Sequence, residues 1–353
     1  MKISFVIGTM SSGGAERVIS EMSNYWVKKG WDISIVTIGA TKGQKDFYPL
    51  DSSIKRVDLS VKPYKFKINI PILLWKIRRF IKKDKPDVVI SFITQSNIIV
   101  LSALIGVKVK KIISDRADPY KEQVGFFLKR VIYPLCDTLV IQTDGVKKFY
   151  EKIPSLKVVT IPNPISKPTI EKSKSFNFNS PTIVAMGTLK KIKGFDILIN
   201  AFANIHQKYP DWNLVVFGEG RDRLVLEELI AEHHLQSKVF LPGVIDNPRN
   251  TITDADIFVL SSLKEGFPNV LIEAMSVGLP CVSFDCNFGP SEIIDNNKNG
   301  ILIETGNQKA LQDALEKLIN SKSLQDELGN RAKKDSMNKY YIDNIMKEWE
   351  REL

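Results

Sequence analysis

The segment Ser261-Ser-Leu-Lys-Glu-Gly-Phe-Pro-Asn-Val-Leu-Ile-Glu-Ala-Met275 follows an apolar run at 256–260 and enters an apolar-periodic stretch at Asn269. A strand ends, a loop follows and a helix begins, which is the elementary connection of a parallel sheet. Glu265 falls in the loop, and Glu273 falls in the first turns of the helix. Backbone N–H groups at the start of a helix have no partner within it and carry the positive end of its dipole. Those of Phe267, Asn269 and Val270, on either side of Pro268, which has no N–H of its own, therefore suit a diphosphate. Carboxylates beside an anion pocket are unfavourable unless they serve hydroxyls. Glu273 accordingly reads as an acceptor for a ribose and Glu265 for a sugar ring, against the plainer alternative of a solvated helix start.

The same alternation repeats on either side. Strands are expected at 182–186, 213–217, 238–241, 256–260, 281–284 and 300–303, with helices such as 221–233 and 269–277 between them. A helical tail runs from Gln308 to the end, interrupted at 335–341. The first half follows the same scheme, with strands at 2–7, 33–38, 87–92, 111–114 and 138–142 and a helix at 15–29. Between the arrays lie Ile161-Pro-Asn-Pro-Ile-Ser-Lys-Pro168 and the polar stretch 171–180, which read as a linker. A length of 353 residues accommodates two domains. The expected fold class is α/β, with two doubly wound, Rossmann-like domains, 1–165 and 166–336, facing a central cleft at their strand C-terminal ends.

A composition of 43% hydrophobic and 25% charged residues excludes a disordered or fibrous chain. The charge is unevenly placed. Residues 1–165 hold 28 basic and 14 acidic residues, and the remainder holds 22 and 26. A net +14 in the first half implies an anionic partner, either a membrane face, a pyrophosphate or nucleic acid. No helix-turn-helix, zinc-finger or ribonucleoprotein signature supports nucleic acid. Around Pro71–Lys83, helical spacing puts Ile70, Leu73, Leu74, Ile77, Phe80 and Ile81 on one arc and Lys76, Arg78, Arg79, Lys82 and Lys83 on the other. The apolar arc can pack on a sheet while the basic arc meets anionic headgroups. No apolar run reaches the ~18 residues of a spanning helix, and the opening residues read as a first strand and not as a signal peptide. The three cysteines form no C-x-x-C pair, which fits a reducing compartment and argues against a disulfide framework or zinc site.

Three further strand-to-helix turns are rich in glycine. Gly8-Thr-Met-Ser-Ser-Gly-Gly-Ala-Glu-Arg17 places Gly13 and Gly14 at a helix start, where a ligand can approach the backbone and an anion is favoured, so both are candidate donor-binding residues. It lacks the Lys-Ser/Thr of a P-loop, and no acidic residue ends the second strand to grip a nicotinamide-cofactor ribose. Met186-Gly-Thr-Leu-Lys-Lys-Ile-Lys-Gly-Phe195 offers Gly187, Thr188 and Lys193, the last able to neutralise a leaving diphosphate. Gly218 opens a third turn that can pass close to a nucleotide. Asp254-Ala-Asp256 has the spacing of a metal-binding D-x-D, but Asp256 opens a strand and Asp254 ends a helix, so convergence is not expected. His206, His233 and His234 read as helix-surface residues, so neither histidine base catalysis nor a metal site is expected.

Taken together, the chain resembles the retaining nucleotide-sugar glycosyltransferases of family 4, which have the GT-B fold. The resemblance runs from Gly13-Gly-Ala-Glu-Arg17, through 196–202 and Gly218-Glu-Gly220, to Glu265-Gly-Phe-Pro-Asn-Val-Leu-Ile-Glu273, the family's E-x₇-E motif. Phe288-Gly-Pro-Ser-Glu-Ile-Ile294 is similar to the branch that builds bacterial capsule, exopolysaccharide and lipid-linked oligosaccharides. The resemblance implies Glu265 at the donor sugar, Glu273 at the ribose, backbone contacts from Phe267, Pro268 and Asn269, and Lys193 on the diphosphate. It places Asp115 and Arg116, with Asp118-Pro119, on the acceptor side, Asp115 as a catalytic candidate. Thr188 stands where the family often has an arginine, so Lys190 is the candidate replacement. The last helix, 337–353, is expected to return to the first domain.

The implied activity is transfer of a hexose or N-acetylhexosamine from a UDP-sugar to a lipid-linked saccharide acceptor, with retained configuration and no metal or other cofactor. The implied location is cytoplasmic, peripheral to the inner face of the membrane. A non-transferring GT-B enzyme such as a sugar-nucleotide epimerase, and a hinged two-domain sugar-binding protein, are the alternatives.

Overall fold

The computed structural model describes residues 1–11, 13–39, 46–60, 66–116, 119, 126–166, 176, 178–245 and 247–353, with only the backbone of 66–68. Part of the expected linker (167–175 and 177) and Asp118 lie outside the described residues. The chain divides into two compact units, Met1–Pro164 with Ile345–Leu353, and Ile165–Asn344.

In the first unit the order is β1 (Lys2–Ile7), α1 (Gly14–Lys28), β2 (Asp32–Thr37), β3 (Lys55–Asp58), α2 (Phe66–Asp84), β4 (Val88–Phe92), α3 (Thr94–Ala103), β5 (Lys110–Ser114), α4 (Phe126–Ile132), β6 (Thr138–Ile141), α5 (Asp144–Tyr150) and β7 (Val158–Thr160). The strands form one parallel sheet in the order β3-β2-β1-β4-β5-β6-β7. Central strands read as unbroken apolar runs because helices cover both faces. All five residues of β4 are buried, for example. β3 and β7 were not expected from the sequence. Both lie at sheet edges, where Lys55-Arg-Val-Asp58 is mostly exposed, Val158-Val-Thr160 is half-buried, and neither carries an extended apolar signal.

In the second unit β8 (Thr182–Met186), α6 (Phe195–Lys208), β9 (Asn213–Phe217), α7 (Arg223–Glu232), β10 (Val239–Gly243), α8 (Pro248–Ile252), β11 (Ile257–Leu260), α9 (Asn269–Val277), β12 (Cys281–Phe284), α10 (Pro290–Ile293), β13 (Ile301–Ile303), α11 (Gln308–Ile319) and α12 (Lys322–Tyr340) follow one another. The six strands are parallel in the order β10-β9-β8-β11-β12-β13. A last helix, α13 (Ile342–Arg351), begins in the second unit and ends in the first.

The return to the first unit starts at Ile345, not at 337. α12 continues unbroken to Tyr340 and packs on α9. Ile165 is tied to the same end of the second unit, donating to the Tyr340 carbonyl at 2.8 Å and accepting from the Ile342 N–H at 3.0 Å. Beyond that tie, Ile345, Met346 and Trp349 enter the first core fully buried, and Trp349 stacks on Phe92.

Strand order reverses between β1 and β4 in the first sheet and between β8 and β11 in the second. In open parallel sheets, ligands bind outside the strand carboxyl ends at such reversals. The loop after β8 and the stretch 261–268 after β11 are therefore the two sides of one such position.

Candidate functional site

At the second-unit reversal the chain is laced together by its own backbone. Residues 191–193 form a tight turn closed by Gly194, which takes the left-handed φ of +62°. A side chain at Gly194 would strike the Ser261 carbonyl, so only glycine lets the two loops approach this closely. The Ser261 hydroxyl donates to the Lys193 carbonyl at 2.9 Å, and the Leu263 N–H donates to the Ile192 carbonyl at 2.9 Å.

On this frame the Lys193 ammonium donates to Glu265 Oε1 at 2.6 Å, with the side chains 22% and 10% exposed. Two residues singled out from separate motifs are thus brought together, half buried. Cys286 lies close by, but burial, with the Glu265 charge adding to it, pushes its thiol up to about 12. It is a protonated thiol at neutral pH and not a nucleophile.

α9 starts behind Pro268 with no side-chain cap and no acid in its first turn, an arrangement that favours an anion. Glu273 sits a turn further on and is 1% exposed. The loop 266–268 rests on Gly289, whose φ is +98°. A Cβ there would lie 2.6 Å from Pro268 Cδ and 3.3 Å from the Gly266 carbonyl oxygen. Phe288 before it also has a positive φ, +65°. Nothing in the segment 288–294, beyond its family resemblance, points to this buttress except a glycine-proline pair five residues after a buried strand.

Gly187 and Gly218 nest on each other. The Gly187 N–H donates to Phe217, and a Cβ at Gly218 would strike the Gly187 carbonyl oxygen. The close approach expected of Gly218 toward a nucleotide is thus an approach to its own neighbouring strand end. Thr188 and Lys190 are exposed beside them.

In the first unit, Gly13 caps α1, but the place an anion would take is filled by the chain's own Glu16. Its carboxylate is buried over Gly13 and accepts from Thr9 and Ser11 at 3.4 Å each. The Gly13–Gly14 turn therefore presents a negative group of its own.

Asp115 is a correction. Expected to face an acceptor, it is 2% exposed and accepts from five donors: Thr94 Oγ1 (2.7 Å), the Arg116 N–H (3.1 Å), Lys129 Nζ (3.1 Å) and the hydroxyls of Tyr133 and Tyr150 (2.6 Å each). Burial by itself would raise its pKa. Lys129, the two phenols and Thr94 outweigh that and hold the carboxyl below the usual range. Both oxygens are committed to the fold, so Asp115 is an anchor and not an open acid or base. The partners lie 14, 18 and 35 residues downstream, too far for spacing to reveal.

Arg116 is less fully committed. Its Nε donates to Ser114 Oγ at 3.1 Å, its Nη1 donates to Asn163, and its guanidinium lies 4.4 Å from the Phe92 ring centroid. Nη2 is buried without a hydrogen-bond partner, and the side chain makes no ion pair among the described residues. Burial pulls the guanidinium down to about 9, which leaves it charged at neutral pH. Next to it Ile93, at the end of β4, holds φ +75°, an outlier for a β-branched side chain. Strain of this kind gathers at functional sites, and this residue sits at the first-sheet reversal.

Asp256 Oδ2 accepts from the Thr182 N–H at 2.9 Å at the start of β8, so it serves the strand N-terminal ends, opposite the site. Among the described residues, no three His, Cys, Asp or Glu side chains group as metal ligands, and no helix is long and apolar enough to cross a membrane.

Residues 12–167 match the profile of Glycosyltransferase Family 4, and residues 166–335 match that of Glycosyl transferases group 1. An uncharacterized glycosyltransferase of Haemophilus influenzae is 30% identical over 98% of this chain and 97% of its own. A Campylobacter jejuni protein named as a GalNAc-alpha-(1->4)-GalNAc-alpha-(1->3)-diNAcBac-PP-undecaprenol alpha-1,4-N-acetyl-D-galactosaminyltransferase is 30% identical over 99% of this chain and 97% of its own. The crystal structure of Anabaena Alr3699/HepE in complex with UDP superposes with a TM-score of 0.81 at 16% identity, covering 99% of both chains. Two parallel-sheet α/β units in this arrangement of strands are the GT-B architecture. The chain belongs to the family 4, or group 1, glycosyltransferases.

Proposed function

We propose that the chain is a retaining glycosyltransferase that moves a hexose or N-acetylhexosamine from a UDP-sugar to a membrane-associated saccharide acceptor. The acceptor is polyprenyl-diphosphate-linked or of lipopolysaccharide type, and the product is a surface polysaccharide or glycan. One observation carries the reading. The Lys193–Glu265 pair stands at the second-sheet reversal, where α9 begins with neither a cap nor an acid. The cation suits a diphosphate, and the carboxylate suits sugar hydroxyls. The UDP in the Anabaena structure and the undecaprenol-linked acceptor in the Campylobacter name support the donor and acceptor classes.

In this reading the second unit holds the donor. Lys193 leaves Glu265 for the diphosphate, and Lys190 supplies the second cation beside Thr188. Gly187, Gly218 and the backbone of Phe267, Pro268, Asn269 and Val270 line the nucleotide and phosphates, and Glu273 serves the ribose. The first unit holds the acceptor through Arg116. The acceptor oxygen bonds to the anomeric carbon as the bond to phosphate breaks. The leaving phosphate takes the acceptor's proton on the same face, so configuration is retained. Asp256 is spent on the Thr182 N–H, so turnover should survive EDTA. The enzyme works at the inner face of the cytoplasmic membrane, attached peripherally through its basic first unit.

Calorimetry on the full chain tests the donor site. UDP should bind far more tightly than uridine, and Lys193→Ala should erase most of that difference. Equal affinities for the two ligands would overturn the reading, because the diphosphate is its source of affinity. Mass spectrometry of lipid-linked saccharides from cells with and without the gene identifies the acceptor.

A further inference from the structure

Ten large apolar side chains are exposed among the described residues of the first unit, and five of them lie on two helices, Ile72 and Trp75 on α2 and Phe127, Leu128 and Val131 on α4. α3 packs against both of these helices. The clearest case is α4. Its inner edge is fixed, since Lys129, and Tyr133 in the turn directly after the helix, are buried and bonded to Asp115. At 100° per residue, Phe127 and Val131 point the opposite way. They are 78% and 55% exposed, and Leu128 beside them is 43% exposed. Single exposed apolar residues are ordinary, but a stripe on a helix whose other edge is locked marks an interaction face.

Charge selects the occupant. Residues 66–135 hold 14 basic and 5 acidic residues. Arg130 is exposed on α4 itself, and on α2 the Arg79 guanidinium lies 5.0 Å from the ring of the exposed Trp75. A second copy of this chain would bring a like-charged face, whereas an anionic bilayer brings opposite charge at its surface and an apolar interior beneath. We infer that α4 is the helix that enters an anionic bilayer, with Phe127, Leu128 and Val131 below the headgroups and the basic residues among them. The inference rests on the membrane reading proposed above. It moves the main contact from the basic arc of α2 to the apolar edge of α4. Part of the α2 arc is already used within the fold, since Lys76 donates to the Ser60 carbonyl (3.2 Å) and Arg78 to those of Ala103 (3.1 Å) and Ile105 (2.7 Å). Asp115 then ties the inserted helix to the strand end that carries Arg116.

The test is co-sedimentation of the full chain with vesicles of phosphatidylglycerol and phosphatidylcholine, at low and high salt. Wild type should bind, and high salt should remove only part of the binding because the apolar contact is unscreened. Phe127→Ser/Val131→Ser, with an unchanged melting temperature, should lower the partition coefficient by at least about tenfold and abolish the salt-resistant part. Arg79→Glu/Lys82→Glu should weaken only the salt-sensitive part. If wild type ignores the vesicles, the membrane reading falls and this inference falls with it. If wild type binds and the Phe127/Val131 variant binds equally, the inference alone falls. A concentration-dependent dimer in analytical ultracentrifugation that the same variant dissociates would assign the stripe to a second copy and overturn it.

Discussion

Glu265 and Glu273 share one motif but stand in different surroundings, and they should fail differently. Glu265 is half buried on a loop and paired with Lys193, whereas Glu273 is buried within α9. A group at the donor sugar meets charge that changes during transfer, whereas a ribose contact is the same before and during reaction. Glu265→Gln should therefore depress kcat with little change in donor affinity. Glu273→Gln should chiefly raise the donor KM, by about tenfold if a charge-assisted hydrogen bond worth roughly 1.4 kcal/mol is lost. Steady-state kinetics on variants with wild-type melting temperatures checks both, and an exchange of the two phenotypes would reverse the assignment. Asp115 should show the opposite signature, a loss of stability. Removing one partner of a buried ion pair costs about 3–5 kcal/mol, so Asp115→Asn should melt well below wild type. Its folded pKa is lowered, so the stabilisation is complete above the unfolded value of about 3.9 and is lost as pH falls through the folded one. The gap between the two melting curves should accordingly be constant near neutrality and close only below about pH 4. These residues show what a sequence does and does not carry. The placement of Glu265 and Lys193 on the loops after β11 and β8 was legible because each lies in a short motif that follows a buried strand. The role of Asp115 was not, because its identity as an anchor depends on Lys129, Tyr133 and Tyr150, which only the folded chain assembles.

At the scale of elements, the central strands and the helix 269–277 were legible because burial on both faces leaves an unbroken apolar run and a sharp turn at each end. The edge strands β3 and β7 were not, since β3 is mostly exposed and β7 is only half-buried. Neither was the outward stripe of α4, because Phe126-Phe-Leu-Lys-Arg-Val-Ile132 is apolar on most of its circumference, and periodicity cannot tell which side is covered. The Phe288–Pro290 turn is a third such case, a support visible only as a close approach. Gly289→Ala would force a Cβ into Pro268 at a φ that alanine disfavours, at a cost of about 1–3 kcal/mol. Thermal melting should show that loss in the second unit. UDP titration should show weaker binding, by roughly tenfold if about 1.4 kcal/mol of the strain falls on the bound loop. Unchanged UDP affinity in a destabilised Gly289→Ala protein would reduce the turn to a purely structural element.

At the scale of the whole molecule, the chain closes its first unit with its last residues. Trp349 stacks on Phe92. Glu350 accepts from Trp26 Nε1 and from Lys29 Nζ at 3.1 and 2.7 Å, and the Leu353 carbonyl accepts from Lys110 Nζ at 2.7 Å. Deleting residues 342–353 would strip three fully buried side chains, Ile345, Met346 and Trp349, from that core. At about 2–5 kcal/mol for each large side chain removed, the loss rivals the entire stability of a domain. The second unit keeps its own sheet, helices and Lys193–Glu265 pair. Calorimetric melting of the truncated chain should therefore show the first-unit transition lowered or missing and the second-unit transition nearly in place. UDP at a hundred times its dissociation constant should stabilise that surviving unit by about 2.7 kcal/mol. Sugar transfer should be lost all the same, because the acceptor-holding unit no longer folds. A truncated chain that keeps both transitions, or one whose second unit unfolds along with the first, would show that the terminal helix is not the independent closure of the first core that its burial implies.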